Sequence, residues 1–259
     1  MRAAEAFFSQ LIDYAGLFPP ASLDLPSALA EYRTLQSHPR AWMLGRFVMP
    51  ASLLHHPLVV AGPPKPIAVV TTEAAPPELI PEVDTLECKV PLTGIPDGVR
   101  IFDEVDWRTD YDMRIAAAPG GVKLRTGGLT AETVPPADRV AEFLLVAAAE
   151  NKPVKFTAGL HVPVPNDDPV AGARVHGFLN VIAAAFVAYR DRPGIHVLSE
   201  LIAQASYDDF LFTDDAFIAR GFSFQVEEIE RLRAEKVFSF GSCSFLEPIL
   251  HLERHGLLT

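Results

Sequence analysis

GVKLRTGG (121–128) and PVKFTAGLH (153–161) are two short segments built to the same plan. Val122 and Leu124 alternate with Lys123 and Arg125, and Val154, Phe156 and Ala158 alternate with Lys155 and Thr157. A period of two is that of a β-strand, whose successive side chains leave by opposite faces. One face of each strand is made for packing and the other carries cations. TLECKVPL (85–92) repeats the plan, with Leu86, Cys88 and Val90 set against Glu87 and Lys89. VRIFDEVDW (99–107) follows it less cleanly, but packing Ile101 and Val105 leaves Glu104 on the polar side.

Three more runs read as strands: AWMLGRFVMP (41–50), PIAVVTT (66–72) and KVFSFGS (236–242). An eighth is expected from DFLFTDD (209–215) or ARGFSFQ (219–225), which would make it the seventh in order. Helical patterns fall between several of these runs. Pro136 stands where a helix start tolerates proline, and Val140, Phe143, Leu144 and Ala147 follow at helical spacing. VEEIERLRAEK (226–236) is a second helix, and Ser244 with Glu247 forms a capping-box pattern ahead of a third. GFLNVIAAAFVAY (177–189) reads as a buried helix, too short for a bilayer span of about 20 residues.

Strands alternating with helices in this way build a parallel sheet, and eight such repeats fit a (β/α)8 TIM-type barrel of one domain over 1–259. A doubly wound open sheet is the alternative, but the chain has neither GxGxxG after its first strand nor GxxxxGK[ST] anywhere. Residues 1–40 read as helix, turn, helix: a helical extension packed on the barrel. Proline-rich connections near the second and third strands call for irregular helices there.

Composition narrows the function. A net charge of −11 argues against a nucleic-acid binder, whose surface must neutralise phosphates. Glu5 and Asp13 interrupt the apolar N-terminus, so no signal peptide is read there. Cys88 and Cys243, far apart and without metal-finger spacing, suit a reduced, cytoplasmic chain with no membrane association. The expected partner is a small anionic metabolite, with assembly into a homo-oligomer left open.

In a barrel, polar residues at the inward face meet the mouth formed by the strands' C-terminal ends. That face should hold Glu87, Lys89, Glu104, Lys123, Arg125, Lys155 and Thr157, with His161 just beyond and Arg46 contributed by the first predicted strand. Buried ions must pair or serve a polar ligand, so this set is either an internal salt-bridge network or a binding site. Gly127, Gly128, Gly159 and Gly241 end strands where the backbone must turn or approach a ligand. Gly241, Ser242 and Ser244 precede the last helix, at a position suited to an anion or to simple capping. His176 and Asn180 share a helix face and are candidates for the mouth. His161, His176 and Glu104 lack the HxH or HExxH spacing of a metal site.

YAGLFPPAS, WMLGRF, VKLRTGG, VKFTAGLH, HGFLN and FGSCSF together resemble a family of uncharacterised bacterial proteins of about this length, along almost the whole chain. A second, local resemblance is to deoxyribose-phosphate aldolases: VKFTAG is similar to their VKTSTG segment, whose strand-six lysine forms a Schiff base. The resemblance implies Lys155 as nucleophile and the FGS turn (240–242) as a phosphate turn. Those aldolases also carry a lysine on strand seven, which neither candidate for that strand has here. Thr157 and Gly159 also differ from their register.

The reading that combines these features is a lyase acting on a small anionic carbonyl compound, a sugar phosphate or keto acid, by class I aldolase-like imine chemistry without a cofactor. Lys155 would be the nucleophile, with Lys123 beside it lowering its pKa, and Glu104 would shuttle protons. Arg125, Ser242 and Gly241 would hold the anion. Two alternatives stay open: a lyase or isomerase in which Glu87 and Glu104 hold Mg²⁺ while Lys123 or Lys155 acts as acid or base, and a non-catalytic anion-binding barrel.

Overall fold

Gln10, at φ +49°, turns the chain out of a first helix, α1 (Arg2–Phe8), and into a strand, β1 (Ile12–Tyr14). The apolar pattern of residues 7–17 predicts one helix; the structure divides it. In the computed structural model, which describes residues 2–94, 96–109 and 111–258, β1 is the strand that closes the barrel.

The rest follows in order: α2 (Leu25–Leu35), β2 (Leu44–Pro50), α3 (Pro57–Ala61), β3 (Ile67–Thr71), β4 (Val83–Cys88), β5 (Arg100–Val105), α4 (Asp112–Ala117), β6 (Gly121–Arg125), α5 (Ala137–Ala149) and β7 (Val154–Thr157). After them come a hairpin, β8 (Asn166–Asp168) with β9 (Ala173–Val175), and helices α6 (Phe178–Asp191) and α7 (Ile195–Gln204). The chain ends with β10 (Phe210–Phe212), β11 (Ala216–Ala219), β12 (Phe222–Gln225), α8 (Val226–Glu235), β13 (Val237–Ser242) and α9 (Leu246–Arg254). β1 to β7 and β13 form a closed parallel barrel, with β1 paired to both β13 and β2. The open-sheet alternative is thereby set aside. No helix among the described residues is long and apolar enough to cross a membrane.

The expectation that 209–225 supplies a barrel strand is overturned. Arg220 and Gly221, at φ +47° and +87°, make a two-residue turn that pairs β11 with β12 antiparallel, and β10 joins them in a separate three-stranded sheet. Positive φ at both central residues suits a tight hairpin and not the crossover a parallel barrel strand needs. This sheet packs on the N-terminal helix, with the Phe212 and Phe217 rings 5.2 and 4.6 Å from that of Phe7.

Counting β1 as first moves GVKLRTGG to barrel strand six and PVKFTAGLH to strand seven. The 1–40 segment is therefore not a helical extension alone, since it contributes both a barrel strand and α2. No helix is present in residues 72–82 between β3 and β4, consistent with proline at 76, 77 and 81. The helix α6 is buried along most of its length, and its Phe178 stacks on Phe240 of the last strand at 5.0 Å.

Candidate active site

The inward face of the barrel carries an unbroken series of charges. Asp13 on β1 stands at one end: its Oδ1 accepts the Arg46 backbone N–H at 2.7 Å, and its Oδ2 pairs with Lys155 Nζ and accepts from Ser239 Oγ at 2.7 Å. Gly45 makes room for this carboxylate, because a Cβ there would lie 2.1 Å from Asp13 Oδ1. Lys155 Nζ also donates to Ser239 Oγ at 2.8 Å and lies 3.4 Å from Glu87 Oε1. Glu87 Oε2 meets Lys123 Nζ at 2.8 Å, and Lys123 Nζ lies 2.8 Å from Glu104 Oε2.

The series emerges into a cavity of about 440 Å³ at the C-terminal ends of the strands. Glu87, Lys123, Glu104 and Thr157 form its polar floor, and Lys89, Arg125, His161 and Glu247 stand higher on the wall. Aliphatic and aromatic side chains from the loop after β1, from β2, β3 and from the β8–β9 hairpin complete it. Lys155 is not part of the wall: its side chain is 0% exposed, sealed between Asp13, Ser239 and Glu87. Of the two lysines, Lys123 is the one that borders the cavity.

Burial pushes the Glu87 carboxyl up, but Lys123 and Lys155 outweigh it and hold its pKa at about 2. For Lys123, burial works against the ammonium, and Glu87 and Glu104 more than offset it, so its pKa lies above the ordinary lysine value.

Several expected site residues lie elsewhere. Arg46 is inward but sits two residues before Val48, one rung toward the barrel's N-terminal end, where its guanidinium binds Asp84 at 2.7 and 2.8 Å. It does not reach the mouth. His176 is buried, with its Nε2 2.7 Å from the Pro135 carbonyl, and burial lowers its pKa. Asn180 donates to the carbonyls of Leu201 and Ala205, both at 2.9 Å, tying α6 to the end of α7. These two are packing groups behind the barrel wall. Ser242 donates to the Ser244 carbonyl at 2.7 Å, and Ser244 Oγ accepts the Glu247 N–H at 3.2 Å, so both hydroxyls serve the turn into α9. The Glu247 carboxylate turns instead to His161 Nδ1, at 3.3 Å. Gly128, Gly159 and Gly241 line the cavity, and Gly127 backs onto Gly159.

Asp13 was invisible in the sequence as a site residue because it reads as a charge interrupting a helix; the signal was the polar residue between Ile12 and Tyr14. Asn166, Asp168 and Glu247 also reach the cavity, from a hairpin and a helix end that carry no strand alternation. Among the described residues no group of three or more His, Cys, Asp or Glu side chains gathers as metal ligands, and Glu87 and Glu104 converge on the Lys123 ammonium. The fit to Mg²⁺ is accordingly poor. Compared with protein-family models, curated proteins and solved structures, the chain matches none.

Proposed function

We propose that this barrel is an enzyme acting on a small anionic carbonyl compound by imine chemistry, with Lys123 rather than Lys155 as the amine nucleophile. One observation carries the reading: Lys123 lines a ligand-sized cavity, its side chain 2% exposed and its Nζ held between two carboxylates, while Lys155 takes no part in the wall. The revised strand count supports it, since the strand-six lysine of the aldolase resemblance then corresponds to Lys123, and Lys155 supplies the lysine on strand seven.

Lys123 rests as an ammonium and needs a base before it can attack. Glu104, partly open to the cavity, takes that proton. The neutral amine adds to the substrate carbonyl carbon, forming a C–N bond as the C=O π bond opens onto oxygen. An amine proton moves to that oxygen to give the carbinolamine, and Glu104 returns its proton to the hydroxyl, whose C–O bond breaks to release water and leave the protonated imine. Arg125 and Lys89 border the same cavity without an ion-pair partner among the described residues, and they receive the substrate's anionic group. Two free cysteines, one of them buried, suit a reducing cytoplasm.

The raised pKa of Lys123 favours a second, non-covalent reading in which the ammonium donates its proton to a substrate oxygen. Incubation with pyruvate, dihydroxyacetone phosphate or glyceraldehyde 3-phosphate plus cyanoborohydride, followed by peptide mass mapping, separates the two. Imine chemistry requires a reduced adduct on Lys123 that is lost in Lys123→Arg. Turnover without an adduct would support the proton-donor reading, and an adduct on Lys155 would return the nucleophile to that residue.

A further inference from the structure

The cavity wall is divided, and the division describes a substrate. Beside the charges that β4 to β6 contribute, Glu87, Lys123 and Glu104, stand six apolar side chains, Phe18, Val48, Val70, Leu129, Val170 and Val175, while the rim also carries Lys89, Arg125, His161, Asn166, Asp168 and Glu247. These six come from five separate parts of the chain: the loop after β1, the strands β2 and β3, the loop after β6, and the β8–β9 hairpin. Val48 and Val70 occupy inward positions of barrel strands, where β4, β5 and β6 place Glu87, Glu104 and Lys123. The barrel's inward face thus changes from ionic to aliphatic on one side of the mouth.

Two of the six give the stronger sign. Leu129 is 49% exposed and Val170 53%, both on the cavity wall, in the segments that follow the adjacent strands β6 and β7. Large aliphatic side chains held in water at a cavity lip gain free energy when an apolar group covers them. A sugar phosphate, hydroxylated along its length, would leave whichever hydroxyls it turned toward Val48 and Val70 without partners, which is unfavourable.

Building on the function proposed above, we infer that the substrate is a carbonyl compound with an anionic group and a branched or aromatic apolar tail, of the 2-oxo acid type, and that Leu129 and Val170 are specificity-determining residues for that tail. The carbonyl lies at Lys123, the carboxylate is within reach of Arg125, and the tail crosses the mouth between the Phe18, Val48 and Val70 wall and the lip formed by Leu129 and Val170. A cavity of about 440 Å³ has room for such a tail beyond what pyruvate fills.

The test is a series of probes with one reactive end and a growing tail: pyruvate, 4-methyl-2-oxopentanoate and phenylpyruvate, with glyceraldehyde 3-phosphate as the polar-bodied comparison. Cyanoborohydride trapping on Lys123, measured against concentration, gives a half-saturation for each. The expected result is half-saturation for 4-methyl-2-oxopentanoate at a concentration roughly tenfold or more below that for pyruvate. In Leu129→Asn and Val170→Thr, exposed positions where a polar residue is tolerated by the fold, that ratio falls toward one. Equal half-saturation along the oxo-acid series, or tighter capture of glyceraldehyde 3-phosphate, overturns the inference even where Lys123 is trapped. If no probe is trapped, the imine reading fails by itself. Thermal stabilisation by 4-methylpentanoate over acetate, which needs no carbonyl, then decides the tail: a larger upward shift upholds it, and equal shifts reject it.

Discussion

Lys123 and Lys155 are Cα partners on adjacent parallel strands, and one carboxylate, Glu87, holds both amines, at 2.8 and 3.4 Å. Two like charges side by side inside a barrel are tolerable only because acids interleave with them: Asp13 on one flank, Glu87 between, Glu104 on the other. Removing one member of such a set strands a buried charge, at a cost of about 3–5 kcal/mol. The two lysines should nevertheless differ. Lys155→Met leaves Asp13 under-neutralised where it meets no water, whereas Lys123→Met strands Glu104, which is partly exposed at the cavity. Urea denaturation should show the larger loss for Lys155→Met. An equal or larger loss for Lys123→Met would mean that exposure to the cavity does not relieve the stranded charges.

Acid should loosen the barrel through Glu87. Its folded pKa of about 2 lies below the ordinary 4.5, so its ionised form stabilises the fold at any pH above the ordinary value. That stabilisation, on the order of 3 kcal/mol, is lost as pH falls from about 4.5 toward 2. Glu87→Gln should be less stable at neutral pH and should lose stability less steeply across this window. Parallel stability–pH curves for the two proteins would remove Glu87 as the acid-sensitive group.

The difference between what was legible in the sequence and what was not follows from length and context. Lys123, Glu87 and Glu104 could be placed inside the barrel because each lies in a strand long enough to show period-two alternation. β1 has three residues, too few to show a period, and its Asp13 was hidden inside an apolar stretch with helical spacing. That one strand shifted the count of the six strands from β2 to β7 and changed which lysine falls on strand six. Arg46 was placed on the correct face but at the wrong height, since alternation fixes a side and says nothing of depth. His176 and Asn180 do not share a helix face as spacing predicts: α6 begins at Phe178, so His176 lies in the loop before it and meets the loop before α5, while Asn180 faces α7, tertiary facts no local pattern carries.

Gly159 gives the last expectation, on the wall of the cavity itself. Its φ of +77° costs an L-residue about 1–2 kcal/mol, and a Cβ there would also lie 3.0 Å from the Gly127 Cα and 3.3 Å from the Thr126 carbonyl oxygen. Gly172, at the tip of the β8–β9 hairpin, has a similar φ of +63° with open space around it. Gly172→Ala should therefore show the backbone cost alone. Gly159→Ala adds a collision between two backbones that hold β6 and β7 together just above Lys123, where neither partner can rotate away. Thermal denaturation of the pair should place Gly159→Ala below Gly172→Ala by a further 1 kcal/mol or so. The cavity-side variant alone should also weaken trapping at Lys123, because its strain falls on the loops that shape the floor. Equal destabilisation would mean that the β6 and β7 ends part easily, and the close approach of Gly127 to Gly159 would then not be what sets the cavity's shape.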